Sequence, residues 1–160
     1  MRAVMRLAIV VVLVLFAAAA RPVAADRPLP VFSVLNPADG APVQSADLAD
    51  VNAWLLIYTR KDCNACDQLL QLWTPQDTPT PLGRIRIVAG AVTPGEIAAL
   101  REEFPLLTDA AWYADSDNSA AHALGLHGAP AVFGMRGQTV MWMSQGVLPI
   151  TRALIAGWFR

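Results

Sequence analysis

Cys63 and Cys66 are the only cysteines in this chain of 160 residues, and they stand three apart as Cys63-Asn64-Ala65-Cys66. Ahead of them runs an apolar segment, Trp54-Leu55-Leu56-Ile57-Tyr58-Thr59; behind them lies a helix-like stretch from Asp67 to Trp73. A strand that turns into a helix sets the first cysteine at the helix N-terminus, where free N–H groups and the macrodipole favour a negative sulfur. Two thiols at i and i+3 share one face of the first turn. Such a pair can exchange disulfides: one thiolate attacks, and the second thiol releases the mixed disulfide. The spacing predicts an exposed Cys63 as the attacker and a more buried Cys66 as the resolving residue. Arg60 and Lys61 would favour the thiolate of Cys63 while Asp62 and Asp67 oppose it, and the helix terminus tips the balance towards a lowered pKa. A bridge of this spacing closes almost no loop, so it has little to offer as a structural staple.

A metal site is the competing use of two such thiols. A closed zinc site needs four ligands, and only His122 and His127 could complete one. Two thiolates with His127 or one of Met135, Met141 and Met143 could hold Cu(I). The methionines and Trp142 fall in strand patterns, where packing explains them better, and the two histidines read as surface or helix-face residues. The expectation is therefore a site with neither metal nor cofactor.

Gly128-Ala129-Pro130-Ala131 directly precedes an apolar run. A proline opening a strand admits a cis bond in a tight turn, which would present the Ala129 backbone to an extended peptide. Local sequence alone favours an ordinary trans proline at a strand start.

The chain begins with Arg2 and Arg6, an apolar run from Leu7 to Ala20, and the small residues Val23-Ala24-Ala25. This reads as a secretory signal peptide over 1–25, since a membrane span needs roughly 20 apolar residues. An uncleaved anchor using everything from Leu7 to Ala25 is the alternative. Residues 26–160 then form one domain of 135 residues, carrying nine basic against 13 acidic side chains, a net charge of −4. No basic patch survives, so nucleic acid is not an expected partner. Export to an oxidising, periplasm-like compartment would suit a lone dithiol.

The remaining pattern supplies the elements that must hold these residues. Arg27 to Pro30 reads as a lead-in. Val31–Leu35 and Ala41–Val43 form a hairpin around Asp39-Gly40. Trp54–Thr59 is a strand buried on both faces, and Pro75, Pro79 and Pro81 make a loop after the cysteine helix. Arg84–Ala91 is a second strand, and Thr93-Pro94-Gly95-Glu96 caps a helix that buries Ile97, Leu100 and Phe104. Trp112–Ala114 is a short strand, followed by a brief helix from Ser119 to Leu124 closed by Gly125. A hairpin of Ala131–Met135 with Thr139–Ser144 precedes a last helix, Ile150–Phe159, expected to bury Ile150, Leu154 and Trp158. Helices between strands imply right-handed crossovers and a mixed α/β sheet covered on both faces.

Taken together, Trp54 through Cys66 and Leu124-Gly-Leu-His-Gly-Ala-Pro130-Ala-Val-Phe-Gly-Met-Arg-Gly137 resemble the thioredoxin superfamily. The N-terminal hairpin and the helix–strand stretch Pro94–Ala114 are similar to its TlpA/ResA branch of exported, AhpC/TSA-related proteins. The resemblance implies a thioredoxin fold with an N-terminal β-hairpin and a helix–strand insertion. It also implies Cys63 and Cys66 as catalytic residues, and a cis Ala129–Pro130 bond at the substrate groove. The activity implied is that of a thiol–disulfide oxidoreductase, more often a reductase than a DsbA-like oxidase. Its partners would be a disulfide-containing protein substrate and a membrane thiol electron donor, and the protein itself is expected to be a monomer. The chain departs from the pattern in holding Asp62 and Ala65 where Trp and Pro are usual. Ile57 stands where a buried acid often serves the resolving thiol, and Ala129 where Thr, Val or Ile is common.

Overall fold

The computed structural model describes residues 23–73 and 81–160. The basic and apolar parts of the expected signal, and Pro75 and Pro79 of the expected loop, lie outside the described residues. In chain order the elements are β1 (Val23–Pro28), β2 (Ser33–Leu35), β3 (Pro42–Gln44), β4 (Ala53–Arg60), α1 (Asn64–Leu70), β5 (Ile85–Gly90), α2 (Ile97–Glu103), β6 (Ala111–Asp115), α3 (Ser119–Leu124), β7 (Ala131–Arg136), β8 (Thr139–Gln145) and α4 (Thr151–Trp158). The strands form one mixed sheet in the order β1-β8-β7-β4-β5-β6-β2-β3. Parallel pairing joins β4 to β5 and β5 to β6, and antiparallel pairing joins β4 to β7 and β7 to β8. This is the mixed α/β sheet that the strand and helix pattern predicts.

β4 lies between β5 and β7, with Ile57 opposite Ile87 on one side and Val132 on the other. Its run from Trp54 to Thr59 is buried throughout, as expected of a strand covered on both faces. Alternation divides the strand between two cores. Leu55 and Ile57 join Leu69, Leu70, Ile97, Phe104, Trp112 and Ile155 beneath α1, α2 and α4. Trp54, Leu56 and Tyr58 join Val34, Leu48, Ala120, Leu124 and Phe133 on the face covered by α3 and the N-terminal hairpin. The strand thus anchors both layers, and its C-terminal end delivers the cysteines.

Two expectations need correction. The lead-in is in part a strand: β1 pairs antiparallel with β8, Arg27 opposite Val140 and Pro28 opposite Thr139, with an irregularity between Ala24 and Arg27. Pro28 is tolerated because β1 is an edge strand, where a missing N–H costs no ladder bond. The last helix also turns a different face inwards. It begins at Thr151, and it buries Thr151 and Ile155 while Ile150 remains 39 % exposed. The Thr151 and Ser144 hydroxyls lie 3.0 Å apart in the interior, and Thr151 Oγ1 accepts the Leu148 N–H at 3.2 Å. This polar pair fixes the rotation of α4, and a hydrophobicity pattern cannot register it. Leu154 and Trp158 are partly buried against the core, Trp158 donating its indole N–H to Trp54 O at 3.0 Å.

Gly134 is required by this packing. A Cβ there would collide with the Trp142 indole, which meets Trp158 edge to face at 5.7 Å. Gly134→Ala is expected to lower stability by about 1–3 kcal/mol through forced repacking of Trp142. Gly83, with open space around its Cβ position, serves as the control, and Gly83→Ala should stay within about 0.5 kcal/mol of wild type. Urea unfolding midpoints measure both, and equal midpoints for the two variants would refute the packing account.

Candidate functional site

β4 ends at Arg60, and the chain reverses through Lys61 and Asp62 into α1. Asp62 adopts φ 55°, a left-handed conformation that a short polar residue accepts more readily than a bulky one. That turn sets Cys63 as the N-cap of α1 with extended backbone, φ −121° and ψ 94°. The Cys63 carbonyl accepts the N–H groups of Cys66 at 2.8 Å and Asp67 at 3.1 Å. Its Sγ also accepts the Cys66 N–H, at 3.2 Å. The two cysteines are joined in a disulfide, with Cα atoms 5.1 Å apart. Cys63 is half-buried, whereas Cys66 is fully enclosed among the core residues under α1. The helix begins at Asn64, with Cys63 at its N-terminus as expected, and ends at Leu70, earlier than the apolar stretch to Trp73 suggests.

The Ala129–Pro130 peptide bond is cis. It brings Ala129 O to 3.8 Å from Cys63 Sγ, across 66 residues of sequence. The segment is pinned from behind: Gly146 N–H donates to Pro130 O at 2.7 Å, and Gln145 Nε2 donates to Gly128 O at 3.2 Å. Ala129 is half-buried and Pro130 is buried. All four residues singled out in the sequence, Cys63, Cys66, Ala129 and Pro130, therefore lie together where β4 ends and β7 begins, at one end of two interior strands.

The charges around the pair are arranged less simply than their order implies. Lys61 does not turn to the sulfurs, since its ammonium is held by Glu96 at 2.9 Å. Glu96 in turn accepts the Thr93 N–H at 2.8 Å and the Thr93 hydroxyl at 2.9 Å. The Thr93 N–H bond, then Lys61 and the Thr93 hydroxyl, draw the Glu96 carboxyl down to about 2. The cap of α2 is thereby tied to the turn that carries Cys63. Among the described residues, no three His, Cys, Asp or Glu side chains gather as a metal site requires.

A buried polar group that the sequence reading did not identify lies on the opposite face of β4. Tyr58 donates its hydroxyl to Asp115 Oδ2 at 3.0 Å, in a space kept open because residue 90 is glycine. Asp115 also accepts the N–H groups of Ala120 at 3.2 Å and Ala121 at 3.3 Å, which caps α3 from inside. Burial first, and the neighbouring Asp115 second, hold the Tyr58 phenol above its ordinary range, so it remains a donor. The only sequence signal was a tyrosine placed within an otherwise apolar strand.

With this geometry in view, known proteins can be set beside it. No protein-family model matches the chain, and no curated protein matches it. Solved structures do. A Chlorobium tepidum protein described as a thiol:disulfide interchange protein DsbE superposes with a TM-score of 0.62 at 16% identity, covering 83% of this chain and 98% of its own. A secreted Mycobacterium tuberculosis disulfide oxidoreductase homologous to E. coli DsbE gives 0.60 at 13% identity, covering 80% and 93%. A peroxiredoxin-like protein from Aquifex aeolicus gives 0.57 at 11% identity, covering 85% and 88%. At such identities the likeness concerns the fold, and the fold is that of thioredoxin.

The Glu96 contacts carry a pH signature. A carboxylate whose folded pKa lies below its unfolded value contributes stability that is fully present above the unfolded pKa and is lost as pH falls towards the folded one. With Glu96 near 2 against an ordinary 4.5, that loss falls between about pH 4.5 and 2. Thermal unfolding of wild type and Glu96→Gln should therefore differ at pH 6 and converge by pH 2. A constant difference across the range would contradict the assignment.

Proposed function

We propose that this thioredoxin-fold chain is an exported thiol–disulfide oxidoreductase that reduces disulfides in protein substrates. One arrangement carries the reading: a half-buried Cys63 sulfur faces the substrate side beside Ala129 O, while Cys66 waits enclosed one turn along the helix. In the reduced protein, the Cys63 thiolate attacks one sulfur of the substrate disulfide. A mixed disulfide forms, and the departing substrate thiolate takes up a proton. The Cys66 thiol then loses its proton and attacks Cys63 Sγ. This forms the Cys63–Cys66 bond and frees the second substrate thiol. Two electrons pass from the dithiol to the substrate, and a membrane thiol donor returns them.

The N–H of Cys66, 3.2 Å from Cys63 Sγ, is placed to stabilise negative charge on the attacking sulfur. Ala129 and Pro130 form the wall against which an extended substrate backbone would lie. Ile57, fully buried on the α1 side of β4, provides no carboxylate to receive the Cys66 proton, which makes resolution the step expected to be slow. The reductive direction is supported by the similarity to the TlpA/ResA branch. Export is supported by Arg2, Arg6 and the apolar run that follows them. No helix among the described residues is long and apolar enough to cross a membrane.

Cys66→Ala is expected to accumulate mixed disulfides between Cys63 and its partners, and Cys63→Ser to form none. Free thiol groups exchanging equally well in Cys63→Ser would overturn the reading. A redox titration separates the directions. A reductase should have a potential below about −200 mV, whereas a value near −120 mV would identify an oxidase. Stoichiometric Cu(I) binding that vanishes in Cys63→Ser, without disulfide exchange in wild type, would instead mark a copper-binding module.

A further inference from the structure

Between the end of β4 and the segment joining α3 to β7 lies a groove of about 250 Å³. Its lining is about half polar, formed by Tyr58, Arg60, Asn118, His122, His127 and Gly128 with Ala121 and Leu126. Gly128 immediately precedes Ala129, whose carbonyl stands against Cys63 Sγ, and Arg60 lies three residues before Cys63. The groove therefore opens next to the place where a substrate disulfide would react.

Its lining favours an anion. Arg60 offers a guanidinium with no ion pair or side-chain hydrogen bond among the described residues, whereas its neighbour Lys61 is held by Glu96. His122 and His127 are both exposed, and each imidazole carries at least one N–H donor. The Tyr58 hydroxyl gives its proton to Asp115 and lies 3.4 Å from Asn118 Oδ1, so the donors left for an anion are Arg60 and the two imidazoles. Of the nearby acids, Asp115 and Asp117 are bonded within the protein, whereas Asp62, Asp67 and Glu103 line a second groove that Arg60 also borders. Asp115 is buried under the Tyr58 hydroxyl and the first turn of α3, and Asp117 accepts the Ser119 N–H at 3.0 Å. Asp117 is held below the ordinary carboxylate range chiefly by that bond. The space accommodates a side-chain carboxylate together with water, each water occupying about 30 Å³.

We propose that this groove is a specificity subsite for an acidic residue of the substrate polypeptide, close in sequence to the cysteine that Cys63 attacks. The inference rests on the oxidoreductase reading and names the class of substrate it serves. An extended chain advances about 3.3 Å per residue, so a carboxylate within a few residues of the substrate cysteine reaches the groove while the backbone lies along Ala129 and Pro130. The chain as a whole is slightly acidic, with a formal charge of −1 at pH 7. Long-range attraction therefore does not favour acidic partners, and the preference must arise from this local contact.

The test uses the whole chain in its reduced form and disulfide-linked reporter peptides with blocked termini. The peptides carry Glu, Gln or Lys two residues from the cysteine, on either side. The rate constant for reduction should be about five- to tenfold higher for a Glu peptide than for its Gln counterpart, and lowest for Lys, as a charged hydrogen-bonded contact implies. In the Arg60→Gln/His127→Gln double variant, the Glu-to-Gln ratio should fall to within about twofold. Because the ratio compares two peptides on one protein, any change at the Cys63 sulfur common to both cancels. Equal rates for the three peptides in wild type, or a ratio that survives in the double variant, would overturn the groove proposal while leaving the oxidoreductase reading intact. Failure to reduce any peptide would overturn both.

Discussion

The N–H of Cys66 is shared between Cys63 O at 2.8 Å and Cys63 Sγ at 3.2 Å, and this contact depends on where β4 stops. A strand that ran one residue further, or a turn of another hand at Asp62, would move the N-cap position off Cys63. The sulfur would then lose its donor and its place beside Ala129. β4 is buried on both faces and paired on both sides, so its end is among the least movable points in the domain. The rigid part of the fold thus determines the position of one sulfur. The other sulfur follows from helical geometry, because residue i+3 of a first turn lies on the same face and, here, against the core.

The second wall of the site comes from a different part of the chain and is fixed by different means. β7 starts at Ala131, directly after the cis bond, and pairs with β4, which carries Ala129 alongside the start of α1. Gly146 and Gln145, at the end of β8, hold Pro130 and Gly128 by hydrogen bonds from the outer side. Cysteines and proline therefore sit at the ends of adjacent strands, and their separation is set by the β4–β7 register. The Lys61–Glu96–Thr93 contacts add a surface tie between the cysteine turn and α2. Both side chains of that tie are about half exposed, so it restrains the turn and adds only a modest, salt-sensitive stability, which the Glu96→Gln comparison reads.

Much of this was legible in the residues, for identifiable reasons. Two cysteines with no others in the chain have few uses, and the apolar run Trp54–Thr59 announces a strand buried on both faces. Thr93-Pro94-Gly95-Glu96 marks a helix start through side chains that act locally, and the structure shows Glu96 bonded back to Thr93. The features that were not legible depend on partners distant in sequence. β1 is a strand only because β8 offers an edge, and its small residues with a closing proline carry little strand signal of their own. The inward face of α4 is chosen by the Thr151–Ser144 hydroxyl pair, which counts as polar in any hydrophobicity pattern. Tyr58 finds Asp115 only because β4, β5 and β6 lie in register and residue 90 lacks a side chain. Lys61, close to Cys63 in sequence, is turned away by a carboxylate 35 residues on.

The division of labour between the two sulfurs is the claim on which the functional account stands. It is tested most directly by reducing the native protein and alkylating it briefly, with the modified sites located by mass spectrometry. The account predicts that Cys63 is labelled rapidly and that Cys66 is protected until the protein is unfolded. Equal labelling of the two, or faster labelling of Cys66, would contradict it.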